Sequence, residues 1–217
     1  MGVIQIDKSK AKVYYNVQDG KVVQSYGKKK PEKEIPNLVA RINKNNETVY
    51  EVQHSAIEGY IESVSVETTE LYGDKLVLVL SDGAESSTIQ MNFSSNYAKS
   101  FLMRIRNIST TNNVILVPYS FEDKTTGKTR TGITVYQGSI ANDNKVASSF
   151  TKEEPNGLPP MKQIKVKGKD TWDDTDQLEF FKAELEVFKK RLSSFDSVPA
   201  VAEEKKVAEP VADDLPF

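Results

Sequence analysis

The side chains that do covalent or metal chemistry are scarce in this chain. It has one histidine, His54, and no cysteine. A catalytic triad needs a histidine base beside its nucleophile, and a zinc site needs several His or Cys ligands; one histidine supplies neither. The stretch "TGKTRTG" at 126–132 carries the Gly-Lys-Thr end of a phosphate loop. That loop also needs a glycine five residues earlier, where Glu122 stands, and a helix after it, where the pattern here is a strand. Asp173, Asp174 and Asp176 could hold a divalent metal in a nuclease. A solvated helix start, with acids at the positive end of the helix dipole, explains them more simply. The residues therefore read as those of a non-enzyme, with no metal or cofactor expected.

Cations interleaved with aromatics are better represented, and their chemistry is the binding of a polyanion that carries flat bases. Phosphates call for Lys and Arg, and unpaired bases call for exposed aromatic faces. Lys124, Lys128 and Arg130 crowd one loop. Tyr119 and Phe121 lie just before that loop, and Tyr136 lies after it at the same parity as Arg130 and Thr134. Tyr72 falls in an earlier turn, and Lys28, Lys29 and Lys30 fall in an N-terminal loop. These ten residues are the candidate DNA-binding set. Core packing is the competing assignment for each aromatic, and simple solvation is the competing one for Lys28–Lys30.

Charge runs in the same direction. The net charge of −2 is composed of +5 over residues 1–169, −3 over 170–195 and −4 over 196–217. A basic body with an acidic end is common in proteins that bind polyanions. The start "MGVIQIDKSK" has no apolar run of the secretory kind and lacks the Ser/Thr of a myristoylation signal. No stretch approaches the roughly 20 apolar residues of a membrane span. Together with the absence of cysteine, this points to a cytoplasmic protein without membrane contact.

The elements that must position these residues are mostly strands. "AKVYYNV" and "KVVQSY" flank Asp19-Gly20, a dipeptide favoured in hairpin turns. "VYEVQHSAIEGYIESVSVE" alternates but switches parity twice, with Gly59 where a bend would sit. It reads as one long bent strand or as two short ones. "KLVLVLS" and "TIQMNF" follow as strands, the second with Ile89, Met91 and Phe93 on one side. Tyr97, Phe101, Ile105 and Ile108 then fall at helical spacing, with Ser94 or Ser95 as N-cap. "NVILVPYSFED" and "RTGITVYQG" are two further strands. Strand, strand, strand, helix, strand, strand, with a bent first strand, is the layout of the five-stranded OB barrel, a fold that often holds oligonucleotides.

After residue 140 the pattern loosens until the basic, strand-like "MKQIKVKGK". "DTWDDTDQLEFFKAELEVFKKRLSSF" reads as a helix, with Asp174 and Gln177 as a capping box. Leu178, Phe181, Leu185, Phe188, Leu192 and Phe195 form its seam. That helix, over 176–195, could dock on the barrel, and its other side could join a second copy. The expected fold is thus mainly β: an OB-type barrel with an added N-terminal hairpin, one internal helix and a C-terminal helix, over 1–195. Residues 196–217 read as a disordered acidic tail.

The tail ends "DDLPF". This closely resembles the acidic tip of bacterial single-stranded DNA-binding proteins: consecutive aspartates, an aliphatic residue, proline and a terminal phenylalanine. By position, Asp213 and Asp214 match the acids, Leu215 the aliphatic residue, Pro216 the proline and Phe217 the aromatic. In that family the tip docks replication and repair proteins. The resemblance implies that Phe217 enters an apolar pocket on a partner while the aspartates lie on a basic rim. The body, with its extra hairpin and late helix, looks more like the phage-encoded members, which vary in the body but keep an OB barrel and an acidic tail ending in an aromatic. The bacterial homotetramer is not implied, and the host cytoplasm would be the compartment.

The expectation is therefore a protein that binds and protects single-stranded DNA without strong sequence preference in replication, recombination or repair, and recruits partners through its tip. The alternative is a protein-binding or virion structural module whose barrel and late helix form a subunit interface.

Overall fold

The computed structural model describes residues 12–195, apart from Tyr72, Ala84 and Lys167. Its first hairpin joins β1 (Lys12–Gln18) to β2 (Lys21–Gly27). Asp19 and Gly20 both take positive φ, 50° and 73°, as a two-residue turn with the right-handed twist of its strands requires. The basic, Pro-containing loop that follows is irregular. It leads to β3 (Leu38–Ile42), an edge strand that sequence reasoning does not find, and to β4 (Thr48–His54).

The parity switches upstream of residue 67 come from two strands, β4 and β5 (Ile57–Thr69). The second carries the bend. Residues Ile57–Gly59 pair with β8 (Val114–Glu122), while Tyr60–Thr69 pair with β6 (Gly73–Ser81), with a bulge between Ile61 and Ser63. β7 (Ser86–Asn92) follows β6, and β9 (Thr129–Gln137) follows β8. The nine strands form one curled, half-barrel sheet in the order β3-β4-β2-β1-β7-β6-β5-β8-β9. β1 runs parallel to β7, and the other pairings in this sheet are antiparallel. The curl brings the Gly20 turn back against β8. A Cβ on Gly20 would stand 2.6 Å from the backbone nitrogen of Ser120, so no larger residue fits there.

One face of the sheet builds the core. Leu76, Leu78 and Leu80 of β6 meet Ile89 and Met91 of β7, with Val114 and Leu116 of β8 and Ile133 and Val135 of β9. Helix α1 (Asn96–Leu102) adds Ala98, Phe101 and Leu102, and Ile105 and Ile108 follow it. Ser95 is its N-cap, its hydroxyl accepting from the Ala98 amide. Ser95 is one of the two caps expected from sequence, but the helical spacing read through Ile108 is interrupted: α1 ends at Leu102, and Ile105–Asn107 form a separate 3-10 turn.

The C-terminal helix starts at Thr175, directly after Asp174 and one residue before the expected bound of 176. Residues Lys169–Asp173 are not helical; they form β11, which pairs with β10 (Lys162–Val166) in a separate hairpin. Helix α2 runs Thr175–Phe195. The expected capping box does not form, because the Gln177 amide donates to the Pro159 carbonyl instead, at 2.7 Å. Asp173 caps locally, accepting from the Thr175 amide and hydroxyl. The seam docks on the chain's own core. Phe181, Leu185 and Phe188 are fully buried, and Leu178 and Leu192 pack half-buried beside them. Each such side chain contributes roughly 1.5–3 kcal/mol relative to exposure. Phe180, off the seam, also packs inward against Phe150, whereas Val187 faces solvent. Phe195's side chain lies outside what is described. Among the described residues, no helix is long and apolar enough to cross a membrane.

Candidate nucleic-acid interface

The β8–β9 hairpin gathers most of the candidate set. Residues directly opposite in an antiparallel pair share a face. Tyr119 is opposite Gly132, Phe121 opposite Arg130, Val117 opposite Thr134 and Ile115 opposite Tyr136. The other parity, Leu116 with Val135 and Pro118 with Ile133, is buried in or against the core. Tyr119, Phe121, Arg130, Thr134 and Tyr136 therefore stand on the face opposite to the core.

At the loop end of that face the aromatics are open. Tyr119 is 36% exposed and Phe121 is 53% exposed. Their rings lie 5.7 Å apart, tilted by 33°. The tyrosine ring can lie down because its cross-strand neighbour is glycine. A Cβ on Gly132 would fall 2.4 Å from the Tyr119 hydroxyl oxygen and 2.5 Å from Ser100 Oγ of α1. Asn96, at the start of α1, donates to the Thr131 hydroxyl at 3.2 Å, so the helix braces this side of β9. Tyr119, Asn96, Lys128, Arg130 and Thr131 line a depression of about 420 Å3.

The loop between the strands is built around one carboxylate. Asp123 accepts from the Thr125 and Thr126 amides and from Arg130 Nε at 2.5 Å. Arg130 above all, then those two amides, holds the Asp123 carboxyl below its ordinary value. The Asp123 amide and carbonyl bond Lys128 and Gly127 in turn. Arg130 is thereby partly neutralised and fixed. Lys124 and Lys128 are exposed and make no ion pair among the described residues. Near Tyr119 lies Arg104, half-buried and donating to the Val146 carbonyl at 3.2 Å. Burial lowers its pKa from the usual guanidinium value, and nearby Tyr119 acts the other way.

The remaining candidates lie elsewhere. Tyr136 shares the face but is half-buried, four residues along β9 from Gly132, where it bridges to Lys145. Lys28 pairs with Glu47 at 2.6 Å, and Lys29 and Lys30 are exposed beside it. They follow the far end of β2 from the Gly20 turn that touches β8. Seven residues of strand separate the two, on the order of 20 Å. The structure does not bring the three lysines to the β8–β9 loop. Tyr72 and the tip, Asp213, Asp214, Leu215, Pro216 and Phe217, lie outside the described residues.

The acids weighed for a nuclease are each engaged separately. Asp173 caps α2, Asp174 pairs with Lys99 of α1, and Asp176 pairs with Lys162 at 2.6 Å. Among the described residues, no three His, Cys, Asp or Glu side chains are grouped to hold a metal ion.

Sequence reasoning overlooks two exposed sheet tyrosines, Tyr14 of β1 and Tyr60 of β5. The alternation of "KVYYNV" carried the signal for the first: Val13, Tyr15 and Val17 point to one side and Tyr14 to the other. Comparison with known proteins gives no further guide, since no family model, no curated protein and no solved structure matches this chain.

Proposed function

We propose that this chain binds single-stranded DNA without catalysis, in replication, recombination or repair, and that the outer face of the β8–β9 hairpin holds the strand. The observation that carries the reading is the Tyr119–Phe121 ring pair, open to solvent, beside the unpaired cations Lys124 and Lys128. Exposed rings lose nothing by accepting a base, and each base–aromatic stack is worth about 1–3 kcal/mol whatever the base. Lysines without a carboxylate partner are free to neutralise phosphate. A duplex hides its base faces, so this chemistry selects the single strand.

The topology supports the barrel part of the reading. β5 is bent and shared between β6 and β8, β7 and β9 lie outermost in that five-strand run, and α1 falls between β7 and β8. This is the arrangement expected of an OB-type barrel, here with the β1–β2 hairpin added next to β7. The tip at 213–217 is proposed to recruit replication or repair proteins, on its resemblance alone.

The test is a fluorescence-anisotropy titration of labelled oligo(dT) and of a duplex of equal length, at several salt concentrations, with and without magnesium. Tight, salt-dependent binding of the single strand, with the oligonucleotide left intact, supports the proposal. Absence of binding at low salt, or equal preference for the duplex, defeats it.

A further inference from the structure

The β10–β11 hairpin stands apart from the main sheet, its strands pairing only with each other among the described residues. It carries Trp172, the single tryptophan of the chain, 62% exposed. Tryptophan is usually well buried, because its ring removes a large apolar area from water. An indole left open on a small hairpin has no folding explanation here. Its cross-strand partner is Gln163, and the next pair on the same face is Lys165 with Asp170. Lys165 is exposed and makes no ion pair among the described residues. From 161 to 173 the sequence holds four lysines against two aspartates.

The hairpin is rooted beside the aromatic face of β8–β9. Asp174, which follows β11 directly, pairs with Lys99 of α1. The next residue of α1, Ser100, lies against Gly132, the cross-strand neighbour of Tyr119, and Asn96 holds Thr131 of β9. One short helix thus braces both features. Resting on the function proposed above, we infer that the β10–β11 hairpin is a second subsite for the same single strand: Trp172 stacks on a base and Lys165 meets a phosphate beyond the stretch held by Tyr119 and Phe121. A lysine-rich surface favours a polyanion over a protein partner, since protein interfaces are depleted in lysine and DNA-binding ones enriched. Two platforms braced by one helix fit the 4–16 nucleotides, roughly, that an OB-type barrel covers.

The single tryptophan gives the experiment its readout. The full chain is titrated with oligo(dT) while indole emission and the anisotropy of a labelled oligonucleotide are followed in parallel. Indole quenching that saturates with the anisotropy is expected. Trp172→Ala should weaken binding about 10-fold and Trp172→Phe should restore most of it, since phenylalanine still stacks. Lys165→Gln should lower the slope of log affinity against log salt by about one. Anisotropy that rises while indole emission stays constant, with Trp172→Ala binding like the parent, overturns this subsite and leaves the β8–β9 reading standing. No anisotropy change at low salt defeats both. Indole emission that depends on protein concentration without DNA makes the hairpin a contact between copies and overturns the inference.

Discussion

The backbone amide of Gly20 donates to the Tyr97 hydroxyl at 2.8 Å, tying the first hairpin turn to the helix that braces the proposed DNA face. Gly20 is buried, so that amide has no water to fall back on. Tyr97→Phe should therefore cost about 1–3 kcal/mol, the penalty of an orphaned buried donor. Gly20→Ala should cost more than about 1–2 kcal/mol, because alanine at positive φ is strained and its Cβ would also strike the Ser120 backbone. Urea denaturation of the two variants checks the order; equal stability of Gly20→Ala and parent would contradict this packing.

The buried carboxylate of Glu51 makes stability depend on acid. Arg41 grips it with two bonds, at 2.9 and 3.1 Å, while Gln53 and Gln18 donate at 2.8 and 3.3 Å. Burial alone would raise its pKa; the bonds from Arg41, Gln53 and Gln18 and the charge of Arg41 prevail and hold it below the ordinary carboxylate value. A depressed folded pKa means stability that is fully present above the unfolded pKa, about 4.3, and lost as pH falls through the lower folded value. The urea midpoint of the parent should fall below about pH 4.3, and Glu51→Gln should flatten that fall. Arg41→Ala should cost about 3 kcal/mol at neutral pH, the low end for breaking a buried pair, because Arg41 itself remains a third exposed.

What was legible in the sequence was whatever depends on near neighbours. The seam Phe181, Leu185 and Phe188 and the Ser95 cap needed only helical spacing, and both appear as read. The shared face of Tyr119, Phe121 and Arg130 needed only strand parity and the register of a short loop. Competition from distant groups was not legible. Gln177 left its capping box for the Pro159 carbonyl, which reaches it only through the fold. The acids of "KDTWDD" look like a helix start, yet cross-strand pairing with Lys162–Val166 draws the first five of those residues into β11 and leaves Trp172 in the open. β3 is not legible because an exposed edge strand has little apolar alternation to show, and the sequence does not separate Lys28–Lys30 from the site because it gives no distance across a sheet.

The Tyr119–Phe121 pair should behave as a stacking platform. Tyr119→Ala and Phe121→Ala should each weaken oligo(dT) binding by about 5- to 100-fold, with the smaller effect on stability at Phe121, the more exposed of the two. Gly132→Ala should act like Tyr119→Ala on binding, because its Cβ would evict the ring without removing it. Lys124→Gln and Lys128→Gln should each lower the salt slope by about one. Anisotropy titrations over a salt series measure all of these, and salt-independent losses at the lysines would rule out phosphate contact.

The tip makes the complementary prediction. If Asp213 to Phe217 form a ligand for other proteins, deleting Phe217 should leave oligo(dT) affinity unchanged, because the stacking rings and free lysines lie on the body. A peptide of residues 209–217 should then compete with the full chain for a captured replication or repair protein, and the same peptide without Phe217 should not, since it has lost the apolar anchor. Replacing Asp213 and Asp214 with asparagine should weaken capture chiefly at low salt, where the basic rim of a pocket attracts them most. A loss of oligo(dT) affinity on deleting Phe217 would instead place the tip in the DNA site and end this division of labour.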